Sequence, residues 1–218
     1  GRWGSRLCAS TLGGLVLNLT ASGMLREGYE VQKMCGGRIS NIVVVGTGEP
    51  LDNYENFVRF IRMVSDGHGL HISQRNITAS TCGIVPNIRR LADEKFQITL
   101  ALSLHGSNQE KRQSLMPVAN KYELSDVLEA CDEYFEKTGR RITFEYSLVH
   151  GVNDTEEDIR ELTALLKHRN CHLNLIPVNP VRENNFKRPD KKTAGIFQNK
   201  LEKNGINVTI RRDMGYDI

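Results

Sequence analysis

The apolar run Ile42-Val43-Val44-Val45 stops at Gly46-Thr47-Gly48-Glu49-Pro50, a sequence of two glycines, a carboxylate and a proline. At the carboxyl end of a strand such a stop can hold a ligand. Glycines let the ligand approach bare backbone, Glu49 can accept from a cationic group, and Pro50 fixes the exit of the chain. A dinucleotide loop would need a third glycine, so that the next helix could pack on its strand; that position is Leu51. Nicotinamide or flavin binding is therefore not the preferred reading.

Other strand-like runs also end in polar residues: Ser80, the triplet Ser103-Leu104-His105, and Asn179 between Pro177 and Pro180. Taken singly, a serine or asparagine there can equally cap a helix or make a turn. Glu49 is harder to explain structurally, because no adjacent helix partner is evident for a carboxylate at the rim of a strand bundle.

The elements that would position these residues alternate. β-Branched apolar runs at 39–45, 75–80, 97–104, 141–149, 172–178 and 206–211 have the length of buried strands, and candidate helices lie between them at 53–65, 86–93, 125–137, 154–168 and 191–204. This alternation predicts parallel strands joined by helical crossovers. Ser125 and Asp154 read as N-caps, Pro86 suits a first turn, and Gly139 and Gly205 sit where helices stop. An early helix over 20–34 is weakened by Gly23 and Gly28. In such βα architectures, ligands collect at the carboxyl ends of the strands.

A length of 218 residues suits one α/β barrel or doubly wound sheet. With 39% hydrophobic and 25% charged residues the composition is that of a soluble protein; no apolar run approaches a membrane span and no signal peptide is visible. Five scattered cysteines without a Cys-x-x-Cys pair argue for reduced thiols in a cytoplasm-like compartment, with Cys35, Cys82, Cys131 and Cys171 read as small core residues. A net charge of +3 permits contact with nucleic acid without demanding it.

Taken in order, Cys8-Ala9-Ser10-Thr11, Gly46-Thr47-Gly48-Glu49-Pro50-Leu51, Thr78-Ala79-Ser80-Thr81-Cys82-Gly83, Ser103-Leu104-His105 and Leu175-Ile176-Pro177-Val178-Asn179-Pro180 resemble the radical S-adenosylmethionine adenine C2-methyltransferases of 23S ribosomal RNA and tRNA. The resemblance extends to Arg211-Arg212-Asp213-Met214-Gly215 and so covers essentially the whole chain. Enzymes that methylate C8 of the same adenosine are close relatives, and the sequence does not separate the two. The resemblance implies a partial (βα)6 TIM-like barrel, with residues 1–218 as one radical S-adenosylmethionine core domain. It implies S-adenosylmethionine and a [4Fe-4S] cluster as cofactors. Gly48 and Glu49 would hold the cofactor's amino end, Ser80, Ser103, Leu104, His105 and Asn179 would line the rest of its site, and Cys8 would be a metal ligand. The implied partners are 23S ribosomal RNA, tRNA and a reductase as electron donor, for a cytoplasmic monomer with no membrane contact.

The chain departs from the family at the cluster loop, a Cys-x-x-x-Cys-x-x-Cys pattern that supplies three thiolates. Aligned on Cys8, the other two positions hold Ser5 and Gly1. Soft anionic sulfur suits iron in a cluster, serine is a poor substitute and glycine none, so a single thiolate is not expected to retain it. Read apart from the family, Cys8 is simply a partly buried thiol. The family's methyl-carrying cysteine lies beyond the Gly215-Tyr216-Asp217-Ile218 segment, and its RNA-binding domain precedes the loop. The expectation is a catalytic core that is incomplete as it stands, with no catalytic residue to name. The alternative is a cluster-free module that binds S-adenosylmethionine or RNA without chemistry. For RNA contact the candidate stretches are Arg140-Arg141, Lys187-Arg188, Lys191-Lys192 and Arg211-Arg212, with Phe186 as a stacking side chain, each also readable as solvated surface. The segment 182–192, with five basic residues, is the preferred phosphate-contacting element.

Overall fold

A computed structural model describes residues 17–45, 48–179 and 186–211. The expectations for Gly1, Ser5, Cys8, Gly46, Arg182 and Arg212 lie outside the described residues.

Six strands, β1 (Ile42–Val44), β2 (Ile77–Thr81), β3 (Thr99–Ser103), β4 (Ile142–Leu148), β5 (Cys171–Pro177) and β6 (Val208–Ile210), form one sheet in sequential order. Every neighbouring pair is parallel. The helices are α1 (Ala21–Cys35), α2 (Tyr54–Ser65), α3 (Val85–Asp93), α4 (Gln109–Leu115), α5 (Leu124–Thr138), α6 (Glu156–Leu166) and α7 (Lys191–Lys203). Strands and crossover helices alternate after β1, giving the α/β, partial (βα)6 barrel expected from the sequence.

Residue alternation in the strands explains which face the helices cover. In β2, Ile77, Ala79 and Thr81 are buried while Thr78 and Ser80 are partly exposed; in β4, Ile142, Phe144 and Tyr146 are buried while Thr143 and Glu145 are not. The buried set joins Ile61, Ile88, Val127, Leu162 and Phe197 of the helices in one core. The other face is concave and polar, carrying Thr78, Ser80, Thr99, Glu145, Asn174 and Thr209. The reading of Ile42 to Val45 as a buried run is corrected: Val43 and Val45 are 62% and 60% exposed.

The structure differs from expectation at several helix ends. Thr155, not Asp154, caps α6, through a capping box with Asp158. Asp154 instead accepts the Gly151 amide at 2.8 Å. Ser125 lies inside α5; the cap position is Glu123, and the Leu124 amide donates to Gln109 Oε1 at 2.8 Å. This distant acceptor satisfies one of the helix's orphan donors without a local cap, so no local signal marks the start. α4 escaped the sequence reading because it has only seven residues, although its N-cap Asn108, which accepts the Lys111 amide at 2.9 Å, was visible in the chain. Gly139 (φ 66°) ends α5 in the left-handed region as expected. α1 forms despite its glycines, and Gly28 lies where a Cβ would come within 3.0 Å of Leu70 Cδ1. Cys82, Cys131 and Cys171 are buried, but Cys35 is exposed at the end of α1, against expectation. Burial pushes the Cys131 thiol up to about 12 and Cys171 up to about 11, so neither is a ready nucleophile.

Candidate functional site

The carboxyl ends of β1 to β5 converge on one rim. Glu49 follows β1 and is not without partners: Oε2 accepts the Cys82 amide at 2.7 Å and Oε1 accepts the Leu51 amide at 3.0 Å. It thereby caps the short 3-10 turn Pro50–Asn53 and pins it to the end of β2. Burial pushes the Glu49 carboxyl up, and the Cys82, Thr81 and Leu51 hydrogen bonds pull it back. Two oxygens hold about four lone-pair sites, and besides these two amides the Thr81 and Cys82 side chains also bond to the carboxylate, so a ligand's donor would share it with them. Gly48 beside it is exposed.

The β3 end is built around His105, which has a left-handed φ of 54° and is 6% exposed. The Ser147 amide donates to His105 Nδ1 at 3.0 Å, so the ring carries its proton on Nε2. Burial, aided by the Arg112 charge, lowers its pKa to about 3, and the imidazole is neutral. Asn153, wholly buried, staples this end to β4: its Nδ2 donates to the His105 and Ser147 carbonyls, both at 2.8 Å, and its Oδ1 accepts the Val149 amide at 2.7 Å. The Leu104 side chain lies in the core with no exposure, so it can meet a ligand only through its main chain. Ser103 ends β3 on the polar side.

Ser80 lies on the concave face, where its Oγ donates to Glu145 Oε2 at 3.4 Å. Asn179 stands exposed after β5 and accepts from Arg188 Nη1 at 3.1 Å. Of the predicted residues, Glu49, Ser80, Ser103 and Asn179 offer side chains to this end of the sheet, and Gly48 and Leu104 offer main chain.

Behind the rim lies Arg112 of α4, which has no exposure and donates Nη2 to the Cys82 carbonyl at 2.6 Å. Among the described residues its Nε and Nη1 are buried without a hydrogen-bond partner, and burial lowers its pKa. Gly106 makes room for it: a Cβ there would lie 2.5 Å from the Arg112 amide nitrogen. Arg112, Glu145 and Asn153 were missed by sequence reasoning. Glu145 was accessible to it, because a period of two in Ile142-Thr143-Phe144-Glu145-Tyr146-Ser147 places Thr143, Glu145 and Ser147 on one face. Nothing local marks Arg112 as buried.

The basic candidates separate by position. Arg140 and Arg141 precede β4 at the opposite end of the barrel, with Arg140 Nη2 donating to Thr99 Oγ1 at 3.1 Å, so they do not belong to this rim. Lys187, Arg188, Lys191 and Lys192 follow β5 at the rim side. Phe186 packs partly buried against a small cluster containing Cys82, Met116 and Val178. Among the described residues no group of three or more His, Cys, Asp or Glu could hold a metal ion, and no helix is long and apolar enough to cross a membrane.

Residues 25–163 match the family described as the Radical SAM superfamily. The chain belongs to the radical SAM superfamily. A radical SAM methyltransferase from Sphaerobacter thermophilus, known from its crystal structure, is 41% identical and superposes with a TM-score of 0.93 over 98% of this chain and 63% of that one. A protein of Lachnoclostridium phytofermentans named "Probable dual-specificity RNA methyltransferase RlmN" is 64% identical over 100% of this chain and 61% of its own length. The chain spans about three fifths of the curated relatives it matches. Streptococcus suis SuiB, solved with bound S-adenosylmethionine, shares the fold at a TM-score of 0.65 with 15% identity, over 98% of this chain and 45% of that one.

Proposed function

We propose that this chain is the S-adenosylmethionine-binding core of an RNA methyltransferase acting on adenine C2 of 23S ribosomal RNA and on tRNA, as a cytoplasmic monomer. The observation that carries the reading is 64% identity, over every part of the chain, to a protein named a dual-specificity RNA methyltransferase. The rim fits the cofactor chemically. An ammonium wants a carboxylate, and Glu49 brings one to the rim; exposed Gly48 allows close approach; Ser80, Ser103 and Asn179 supply neutral donors and acceptors for a carboxylate, a ribose and a base. When bound, S-adenosylmethionine supplies the methyl group. Neutral His105 presents its Nε2–H donor without adding charge, and Lys187, Arg188, Lys191 and Lys192 form the basic margin for RNA phosphates.

The donor set for an iron–sulfur cluster does not fit. The three family ligand positions hold Gly1, Ser5 and Cys8, a hydrogen, a hydroxyl and one thiol. This composition is what favours the second reading, a module that binds S-adenosylmethionine or RNA without chemistry.

Calorimetric titration of the chain with S-adenosylmethionine tests the proposal. Glu49→Gln should weaken binding by about ten-fold to a hundred-fold, the worth of one charge-assisted contact, and Ser80→Ala by less. Unchanged affinity in Glu49→Gln together with lost binding in Asn179→Ala would place the ammonium elsewhere.

A further inference from the structure

The concave face of the sheet holds two polar side chains, Glu145 and Asn174, to which the rim chemistry above gives no role. Glu145 on β4 and Asn174 on β5 are Cα partners on adjacent parallel strands. Both point into the barrel, because the alternating residues Phe144, Tyr146, Leu173 and Leu175 are packed in the core on the helix side. The intervening strand β3 contributes the small Ala101, in register with Ser80, so the Glu145 side chain lies across β3 and receives the Ser80 hydroxyl on Oε2. Among the described residues Ser80 is the hydrogen-bond partner of that carboxylate. Burial raises the Glu145 pKa while the Arg211 charge and the Ser80 hydrogen bond oppose it. Asn174 is approached from its other side: Thr209 Oγ1 on β6 donates to Asn174 Oδ1 at 3.5 Å, so the amide oxygen is the atom on the β6 side and the amide nitrogen is left to donate elsewhere. The result is a carboxylate acceptor beside an amide donor, on neighbouring strands about 4.8 Å apart.

An amino-bearing base edge is the complement of such a pair. Adenine presents the exocyclic N6 amino group as donor next to a ring nitrogen as acceptor, and a side chain that offers an acceptor and a donor together reads both at once. We propose that Glu145 and Asn174 form a base-reading site in the barrel lumen, Glu145 accepting from the exocyclic amino group of an adenine and Asn174 Nδ2 donating to the adjacent ring nitrogen. The proposal rests on the reading of the rim as an adenosine-binding site, since cytosine offers the same donor and acceptor. The adenine can belong to the cofactor or to the RNA.

Equilibrium dialysis of the full chain against adenosine and against purine riboside, which lacks only the amino group, tests the site. The unmodified chain should bind adenosine about ten-fold more tightly, the ratio expected when a buried acceptor meets no donor. Glu145→Ala and Asn174→Ala should each bring the ratio close to one, and Glu145→Gln, whose amide oxygen still accepts, should restore part of it. Circular dichroism shows whether each variant is folded. The source follows from two further ligands: loss of S-adenosylmethionine affinity in Glu145→Ala identifies the cofactor's adenine, and loss confined to a short oligoadenylate identifies the RNA base. If folded Glu145→Ala and Asn174→Ala keep the full preference for adenosine while S-adenosylmethionine binding still depends on Glu49, the lumen site is wrong and the rim reading stands. If the unmodified chain binds no adenosine ligand, both fall.

Discussion

The Cys82 amide donates to Glu49 Oε2 at 2.7 Å, so the loop after β1 and the end of β2 share one carboxylate. Because the Leu51 amide takes the other oxygen, the side chain is both a structural pin and the rim's anionic acceptor. Glutamine cannot satisfy both amides, since its NH2 group would face one N–H donor. Glu49→Gln should therefore lower stability by about 1 to 3 kcal/mol, besides weakening the ligand, as urea unfolding without ligand would show. An unchanged midpoint would mean that the pin carries no load.

Arg112 and Gly106 are matched by shape. A methyl group at Gly106 would lie 2.5 Å from the Arg112 amide nitrogen, a clash with backbone that no side-chain rotation relieves. Gly106→Ala is expected to cost about 3 kcal/mol or more. Arg112→Ala should cost about as much through the cavity it leaves and the Cys82 carbonyl it abandons. Thermal unfolding of both variants is the measurement, and a melting point within two degrees of the parent, on the order of 0.5 kcal/mol, would contradict the packing argument.

His105 makes stability depend on pH in a defined direction. Its folded pKa is lowered to about 3 from 6.5, so between those values the unfolded chain binds a proton that the folded chain refuses. Stability from this group is present above pH 6.5 and is lost as pH falls towards 3, by about 4 to 5 kcal/mol at the limit. His105→Asn keeps a side-chain acceptor, tolerates the left-handed backbone and does not titrate. Urea midpoints measured from pH 7 to pH 4 should fall more steeply for the parent than for this variant, and parallel slopes would show that the ring takes up its proton without unfolding.

Asn153 offers a sharper test of the β3–β4 staple. Its three hydrogen bonds, of 2.7 to 2.8 Å, run to backbone groups at the rim. Asn153→Ala leaves an amide and two carbonyls unpaired in the interior and should cost about 3 kcal/mol, while Asn153→Asp, which loses both donated bonds, should recover little. Chemical denaturation of the two variants decides between a staple and a spectator.

Iron retention tests the loop chemistry. After anaerobic reconstitution the unmodified chain should hold far less than a stoichiometric four-iron cluster, and the double change Gly1→Cys with Ser5→Cys should raise cluster absorbance when preceding residues are supplied. A full cluster in the unmodified chain, or one that survives Cys8→Ala, would show that other ligands suffice.

Most of the architecture was legible because apolar periodicity is written locally. All six strands coincide with their expected runs, four lying inside them and β2 and β5 overrunning by one residue at Thr81 and Cys171, and Gly139 marked the end of α5 because a left-handed residue is needed there. What escaped depends on distant partners. The α5 start is satisfied by Gln109, fifteen residues away, and Arg112 is buried by strand ends and glycines that no helical period reveals. Among the site residues, polar strand ends announced Glu49 and Ser80. The anchoring of Glu49 by the Cys82 amide, thirty-three positions on, became visible only once β1 and β2 were side by side.

The two faces of the strands also differ in how freely they can change. Phe144 and Leu173 are locked among helices, so altering them endangers the whole molecule, whereas their neighbours Thr143 and His172 face a polar hollow and carry little of the packing. Inward residues can therefore change one at a time at small expense in folding, whereas the helix-facing ones cannot.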